Sequence, residues 1–447
     1  MKQLYRPLYW SQRRTSGAWH WVRRRFTLAG GCVLGGMVVA GAVGSDVDNT
    51  VIYQVFAFLV ALLLLAIANS FSFRARFDAT RSLPRIGSAG QPLRYRVTVQ
   101  NLTTLPQAGL TLLEDLADPR PSFEAWLGFQ LAEAKRVRPF RVNQKRRGNP
   151  FQQASTQPVA IPPMPAKGEV ETLMEVLPLR RGVLKFQGVT IARPDPLGLF
   201  RAFIKLPAPQ TVMILPRRYL LNPIALPGAL KYQEGGVALA ANIGRSEEFV
   251  SLREYRRGDP LRHIHWRSWA KAGKPIVKEF EDEFFVRHAL VLDTFGDEPN
   301  SELLEEAVSV AASFACTVLT QESLLDLLFV GPQSYCFTAG RGLAHADQML
   351  EILASVQNCA DKNFDTLEHL VINHISVVSG CICVLQRWDE ARRKFVDKLK
   401  ALGVPLMVLV IVPPGGGISG GGPLLDATGT LHVLEIGKIE EELRKLK

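Results

Sequence analysis

Cysteine is scarce in this sequence, and its spacing excludes the common uses of paired thiols. The 447 residues include 6 cysteines, and none of them lies in a C-x-x-C pair. Cys381-x-Cys383 has no second pair that would complete a zinc site. We therefore predict reduced thiols, packed in a cytosolic core, for the cysteines of the C-terminal third, which are Cys316, Cys336, Cys359, Cys381 and Cys383.

The motifs of several enzyme classes are also missing. The G-x-x-x-x-G-K-[ST] phosphate loop does not occur, which excludes that kind of nucleotide site. The glycine-rich residues 415–422 follow an apolar run but open no helical pattern, so we predict a flexible loop rather than a phosphate cradle. We predict a protein that is not an enzyme and binds no cofactor, with a hydrolase as the less favoured alternative.

Charge is absent from two long stretches near the N-terminus. Residues 26–44 and 51–69 contain no Asp, Glu, Lys, Arg or His. Each stretch is close to the roughly 20 residues that a helix needs to cross a bilayer. We therefore predict a transmembrane helical hairpin over residues 26–69. A signal peptide is the alternative for the first stretch, because Ala40-Gly41-Ala42 has the small-x-small form of a cleavage site.

Acidic residues are absent from residues 1–25, whereas seven basic residues lie there. The loop between the two apolar stretches has Asp46 and Asp48, and residues 70–85 are again basic. Because basic flanks stay on the cytoplasmic side, we predict a bacterial inner-membrane protein with both termini and the soluble domains in the cytoplasm. Residues 1–25 would be a basic leader and 70–85 a basic juxtamembrane linker. These flanks hold most of the net charge of +11, which argues against nucleic acid as a partner.

Two folded regions are predicted after the linker, so the fold class is α/β plus all-β. Residues 86–225 contain short alternating runs, such as 93–101, between frequent prolines and glycines. This pattern is typical of a small antiparallel β sandwich or barrel. Residues 286–447 alternate apolar strands with helices, which predicts a doubly wound, mainly parallel sheet.

Residues 226–285 connect these regions and contain the densest polar and aromatic stretch of the chain. Asp259-Pro260 and Gly273 predict a helix from about 260 to 272. The order of residues here resembles the signature of the domain-of-unknown-function-58 family, at Phe249, Leu252, Arg253, Glu254, Tyr255, Gly258, Asp259, Arg262, Ile264 and Trp266. Arg180-Arg181-Gly182 and the Asp195–Phe200 stretch are also similar to that family.

The resemblance implies a von Willebrand A-like fold for residues 286–447 and a MoxR-type AAA+ ATPase as partner. A transglutaminase-like membrane protein is a further implied partner. We therefore predict a non-enzymatic, membrane-anchored adaptor or scaffold for the assembly or maturation of client proteins, with the lipid bilayer as its anchor. The signature residues are either a buried corner, in which Arg253 pairs with a carboxylate and Asp259 caps the helix, or a partner-binding surface. We favour the corner for Arg253, Glu254, Asp259, Arg262 and Trp266. The full set of signature residues, either partner-binding or structural, also includes Tyr255, Gly258 and His265.

Von Willebrand A domains often bind a divalent ion through D-x-S-x-S after the first strand. The corresponding residues here are Asp293-Thr294-Phe295-Gly296-Asp297, and Phe295 offers no oxygen to a hard cation. Thr338 and Asp389 follow later strand ends and complete the candidate magnesium ligands with Asp293 and Asp297. Because the motif is degraded, we predict no bound metal. A metal-dependent binding module is the alternative function.

Overall fold

The computed structural model describes the chain in several ranges, which are residues 2–43, 50–136, 151–221, 249–257, 259, 261–280, 287–296, 301–320, 324–340, 343–417 and 430–446. The chain divides into two units. The first holds residues 1–217 with 296–305 and 350–358, and the second holds 218–295, 306–349 and 359–447. The protein is a mixed α/β structure.

Three helices open the first unit, namely α1 (Lys2–Arg25), α2 (Leu28–Val43) and α3 (Thr50–Ser70). The predicted leader is therefore helical. Among the described residues, Val51–Ser70 is the helix that is long and apolar enough to cross a membrane. With 16 residues, α2 is shorter than a typical span of about 20. The structure thus supports one candidate span, which is weak evidence for membrane association, and leaves the second predicted span unconfirmed.

Two sheets form the β-rich region of the first unit. Their strands are β1 (Phe77–Ser82), β2 (Ile86–Ser88), β3 (Leu93–Asn101), β4 (Leu110–Leu116), β5 (Ala154–Thr156), β6 (Val159–Ile161), β7 (Glu169–Pro178), β8 (Gly182–Pro194) and β9 (Arg201–Leu215). The strand orders are β1-β3-β7-β5 and β2-β9-β8-β4-β6. Neighbouring strands are antiparallel, apart from β2, which runs parallel to β9.

Side-chain alternation explains how these two sheets share a core. Every second residue of β3 is buried from Leu93 to Asn101, as a strand with one covered face requires. Large side chains of both sheets meet in this core, including Met174 of β7 and Phe186 of β8. The alternating runs seen in the sequence therefore do mark strands.

Two elements of the first unit depart from the prediction. Strand β1 lies inside the predicted linker, and its alternation is hidden because the inward residue Arg81 is basic. The Arg81 side chain is only 1% exposed, and its Nη1 donates to Glu114 Oε1 at 2.7 Å. Helix α4 (Phe123–Arg136) interrupts the predicted all-β region. It packs Trp126 and Leu127 against Tyr9 of α1, a distant partner that local periodicity cannot reveal.

The signature segment forms a hairpin at the start of the second unit. Strands β10 (Phe249–Glu254) and β11 (Ile276–Phe280) pair antiparallel in a sheet of their own. A 3₁₀ turn at Leu261–His263 and helix α5 (Trp266–Ala272) lie between them.

A larger sheet follows, whose elements are β12 (Arg287–Leu292), α6 (Glu302–Thr320), β13 (Leu324–Val330), β14 (Ser334–Ala339), α7 (Leu343–Ser355), α8 (Asp365–His374), β15 (Gly380–Leu385), α9 (Glu390–Ala401), β16 (Leu406–Val412), β17 (Leu431–Glu435) and α10 (Ile439–Leu443). The strand order is β14-β13-β12-β15-β16-β17, and every neighbouring pair is parallel except β13 with β14. This is the order of a doubly wound sheet. The chain leaves β12 and β15 in opposite directions, so right-handed crossovers place α6 and α9 on opposite faces.

Helix α8 ends at His374, and strand β15 starts after it at Gly380. Leu367 and Val371 of α8 are buried on the face of the sheet that also receives Phe395 and Leu399 of α9. Helix α8 was not predicted, since its polar residues hide a short apolar stripe.

Candidate functional site

The signature hairpin is held together by main-chain contacts at the base of its two strands. Tyr255 N donates to Pro275 O at 3.0 Å, and His265 N donates to Ile276 O at 2.8 Å. Ile264 and Val277 face each other in an isolated bridge, and both are buried. The chain between the strands is therefore attached to β11 and forms one local structure.

A bidentate ion pair organises the polar part of the hairpin. Arg253 Nη1 donates to Asp259 Oδ2 at 2.7 Å, and Nη2 donates to Oδ1 at 2.8 Å. The main-chain N–H of Arg256 also donates to Asp259 Oδ2, at 2.8 Å. The Arg253 guanidinium, followed by the Arg256 N–H, lowers the pKa of Asp259 to about 2. The pairing expected for Arg253 is thus present.

The expected helix cap is not present. Asp259 binds Arg253 and the turn at Arg256, while α5 begins at Trp266 after the cap residue His265. His265 Nδ1 instead lies 2.6 Å from Ser268 Oγ. The predicted stop is correct, because Gly273 ends α5 with a φ of 70°. Gly258 lies outside the described residues, as does the side chain of Arg262.

An apolar surface lies beside this polar cluster. The rings of Trp266 and Trp269 stack with centroids 5.2 Å apart at 15°. Trp266 is 67% exposed, Leu261 is 68% exposed and Leu252 is 41% exposed. Glu254 pairs with Lys274 at the exposed edge, and Tyr255 is half-buried. A buried corner would cover Trp266, whereas this side chain is exposed in the described part of the hairpin.

The carboxyl edge of the parallel strands contains the first predicted metal ligand. Asp293 follows β12 and is fully buried, next to Gln386 at the end of β15. Its carboxylate accepts hydrogen bonds from the main-chain N–H groups of Phe295 at 2.9 Å and Gln386 at 3.2 Å. The chain turns away in opposite directions after β12 and β15, and open α/β sheets bind ligands at such a point.

Arg392 occupies the position that a cation would need at this edge. Its Nε and Nη2 donate to the two Asp293 oxygens at 3.1 and 3.2 Å, and its Nη1 donates to Asp389 Oδ2 at 2.6 Å. Asp389 also caps α9 by accepting the Arg392 main-chain N–H. The guanidinium lies 4.4 Å from the centre of the Phe364 ring. Because the carboxylates already bind a guanidinium and Phe295 offers no side-chain oxygen, this ligand set does not fit Mg²⁺.

Thr338 is not part of that edge. It pairs with Asp326 across β13 and β14, and its hydroxyl donates to Asp326 Oδ1 at 2.6 Å. Since β14 is antiparallel, its end lies at the amino edge of the parallel strands, away from Asp293. Asp297 lies outside the described residues, and within the described ranges no group of three metal-ligating side chains is present.

A cysteine–histidine pair was missed by the sequence. Cys336 is exposed rather than packed in the core, and its Sγ lies 3.2 Å from His374 Nε2. The same His374 nitrogen lies 3.9 Å from Asp326, which forms a bidentate pair with Arg287. Desolvation, followed by the Asp326 carboxylate, raises the pKa of the Cys336 thiol. Cys336 lies on β14, which runs antiparallel to β13, and His374 ends α8. Local sequence patterns show neither the reversal of β14 nor helix α8.

Fold and sites together define a mixed α/β protein that presents a tryptophan-bearing hairpin before a doubly wound sheet. Residues 251–398 match the family model described as Protein of unknown function DUF58. Over 186 residues the chain is 28% identical to the uncharacterized protein YeaD of Bacillus subtilis, a match that covers 40% of this chain and 44% of YeaD. The chain therefore spans less than half the length of that curated relative.

Two solved structures match parts of this chain at low identity. A CARDB domain from Pyrococcus furiosus is 8% identical at a TM-score of 0.16, covering 31% of this chain and 94% of its own. A cohesin module of a Clostridium perfringens glycoside hydrolase is 9% identical at a TM-score of 0.17, covering 32% of this chain and 98% of its own. At such TM-scores these matches do not define the fold.

Proposed function

We propose that this chain is a non-enzymatic, membrane-anchored adaptor whose signature hairpin docks a MoxR-type AAA+ ATPase. The observation that carries the proposal is the exposed stack of Trp266 on Trp269. Tryptophan and arginine are the residues that most often dominate binding energy in protein interfaces. The ATPase is the partner that the resemblance implies, and the adaptor acts in assembly or maturation of client proteins.

The construction of the hairpin supports docking. An isolated two-stranded sheet is at best marginally stable in water, so additional contacts are favourable for it. Leu252, Leu261 and Trp266 are all exposed on this small element, and Trp266 stacks on Trp269. The Arg253–Asp259 pair orders the turn before α5, which lowers the entropy that docking would otherwise cost.

Membrane anchoring is the second part of the proposal. Helices α2 and α3 cross a bacterial inner membrane as a hairpin, with both termini and the soluble domains in the cytoplasm. The apolar composition of both helices and the basic residues flanking them support this topology. The C-terminal sheet is a von Willebrand A-like domain, which the strand order supports, and a transglutaminase-like membrane protein is a further partner.

Crosslinking in membranes tests the docking. Trp266→Ala should leave the fold intact and abolish crosslinks to the ATPase, because the residue is exposed. Leu402→Ala removes a 54% exposed side chain elsewhere in the second unit and serves as the control that keeps the crosslinks. If Trp266→Ala instead lowers the melting temperature while folded molecules still bind, the hairpin is a structural corner.

A thiol hydrolase is the second candidate, and the contact between Cys336 and His374 favours it. A histidine within reach of a cysteine can act as its base. The raised pKa of Cys336 opposes this candidate, because the thiolate is the nucleophile. The rate at which iodoacetamide alkylates Cys336 distinguishes the hydrolase from the adaptor.

A further inference from the structure

The Asp195–Phe200 stretch forms a tight turn between β8 and β9 that the proposed docking does not use. Asp195 is buried, and its carboxylate accepts the main-chain N–H groups of Leu197, Leu199 and Phe200 at 2.9, 2.7 and 2.6 Å. Three hydrogen bonds to one carboxylate fix the turn. The Leu199 carbonyl of this turn accepts a hydrogen bond from outside it.

The junction between α1 and α2 binds this turn. Thr27 N donates to Leu199 O at 3.1 Å, and Phe26 pairs with Phe200 in an isolated bridge. A Cβ on Gly30 would lie 2.0 Å from Leu199 O, so glycine is required for this approach. Side chains of α3 also pack here, because Ala66 is buried with Leu199. Both apolar helices therefore meet the β region at this turn.

Five arginines lie at the ends of the segments that meet here or next to those ends, and we call them the arginine collar: Arg25, Arg74, Arg76, Arg193 and Arg201. Arg25 Nη1 donates to Arg201 O at 3.1 Å, which places the end of α1 beside the start of β9. Arg193 lies over the ring of Phe73, 5.4 Å from its centre, next to Arg74. The collar thus combines the end of α1, the segment before β1 and the β8–β9 hairpin.

The collar lacks local counter-charges. Within the described ranges none of its arginines forms an ion pair, and the nearby Asp195 carboxylate binds the main chain of its own turn. The side chains of Arg74 and Arg193 are exposed, and a guanidinium group donates strong, often bidentate hydrogen bonds to phosphate oxygens.

We propose that the arginine collar binds the headgroup phosphates of anionic phospholipids, so that the β region itself rests on the membrane surface. The inference depends on the membrane anchoring in the proposed function but not on the ATPase. Exposed apolar side chains beside the collar, such as Leu28, Phe71 and Leu197, would enter the adjoining lipid. Each arginine near an anionic surface strengthens binding about fivefold.

Reconstitution of the full chain into nanodiscs tests the collar. We expect the wild type to retain phosphatidylglycerol, counted by native mass spectrometry, from discs that mix it with phosphatidylcholine. Arg193→Gln with Arg201→Gln should weaken this retention about fivefold per arginine. Arg74→Gln with Arg76→Gln should act similarly, because both side chains are exposed outside strands. The control is Arg94→Gln with Arg96→Gln on β3, whose arginines pair with Glu175 and Glu171 and which should not change retention.

Any other outcome would contradict either the membrane anchoring or the lipid binding of the collar. Failure of the wild type to enter nanodiscs would contradict membrane anchoring. Entry without preference for phosphatidylglycerol, or equal losses in the control, would refute the collar. Inorganic phosphate should not raise the melting temperature of the protein in pure phosphatidylcholine discs. If it raised the melting temperature as much as phosphatidylglycerol does, the collar would be a site for free anions rather than for lipid headgroups.

Discussion

Two arginine–aspartate pairs in the second unit have similar geometry and different surroundings. Arg253 and Asp259 have side chains that are 33% and 15% exposed, whereas Arg392 and Asp293 are 6% and 0% exposed. Water can replace a lost partner in the first pair, but in the second a lost partner leaves a buried charge uncompensated. Similar chemistry therefore orders an exposed hairpin in one place and stabilises the buried edge of a sheet in the other.

The largest effect should come from breaking the buried pair. Arg392→Ala should reduce the free energy of unfolding by about 3–5 kcal/mol, because Asp293 is left buried and unpaired. Chemical denaturation measures the change. Arg387→Ala, which alters a half-buried arginine just after β15, is the control and should cost less. Removal of Mg²⁺ should leave the wild-type midpoint unchanged, and a large drop would show that the folded protein binds Mg²⁺.

Breaking the exposed pair should chiefly change the pKa of Asp259. Arg253→Ala should raise the pKa of Asp259 from about 2 towards the ordinary value near 3.8, measured by NMR of its carboxyl carbon. Because the folded pKa lies below the unfolded value, this pair stabilises the hairpin above about pH 4 and less as the pH falls towards 2. A pKa that is unchanged in the variant would show that Arg253 does not bind Asp259 in solution.

The smallest expected change concerns a third contact, between Cys336 and His374. Alkylation of Cys336 by iodoacetamide at pH 7 should be slower than that of a free thiol, because its pKa is raised. Peptide mapping by mass spectrometry identifies the modified cysteine, and His374→Ala should change the rate little. Rapid alkylation that requires His374 would favour the hydrolase candidate.

Helices and strands that can be recognised from the pattern of their own residues were predictable. Strand β3 alternates along its length, and the run before Asp293 is apolar because β12 is buried on both faces. The order of elements after residue 286 therefore indicated a doubly wound sheet, apart from α8. Elements that depend on distant partners, such as β1 with its buried Arg81 and α4 with its contact to Tyr9, were not predictable from local patterns.

The candidate sites divide in the same way. The signature residues are close in sequence, so the pairing of Arg253 with a carboxylate could be expected, although the exposure of Trp266 could not. Thr338 was grouped with Asp293 because both follow strands, and the reversal of β14 separates them. The role of Arg392 was missed because 99 positions separate it from Asp293 along the chain.

Arg392 also limits how the carboxyl edge of the sheet can move. It belongs to the first turn of α9, whereas Asp293 and Phe295 follow β12, and it donates to oxygens of both. Sliding α9 along the sheet would break these contacts. It would also move the Arg392 guanidinium away from the Phe364 ring. The helix and the strand should therefore move as one rigid body.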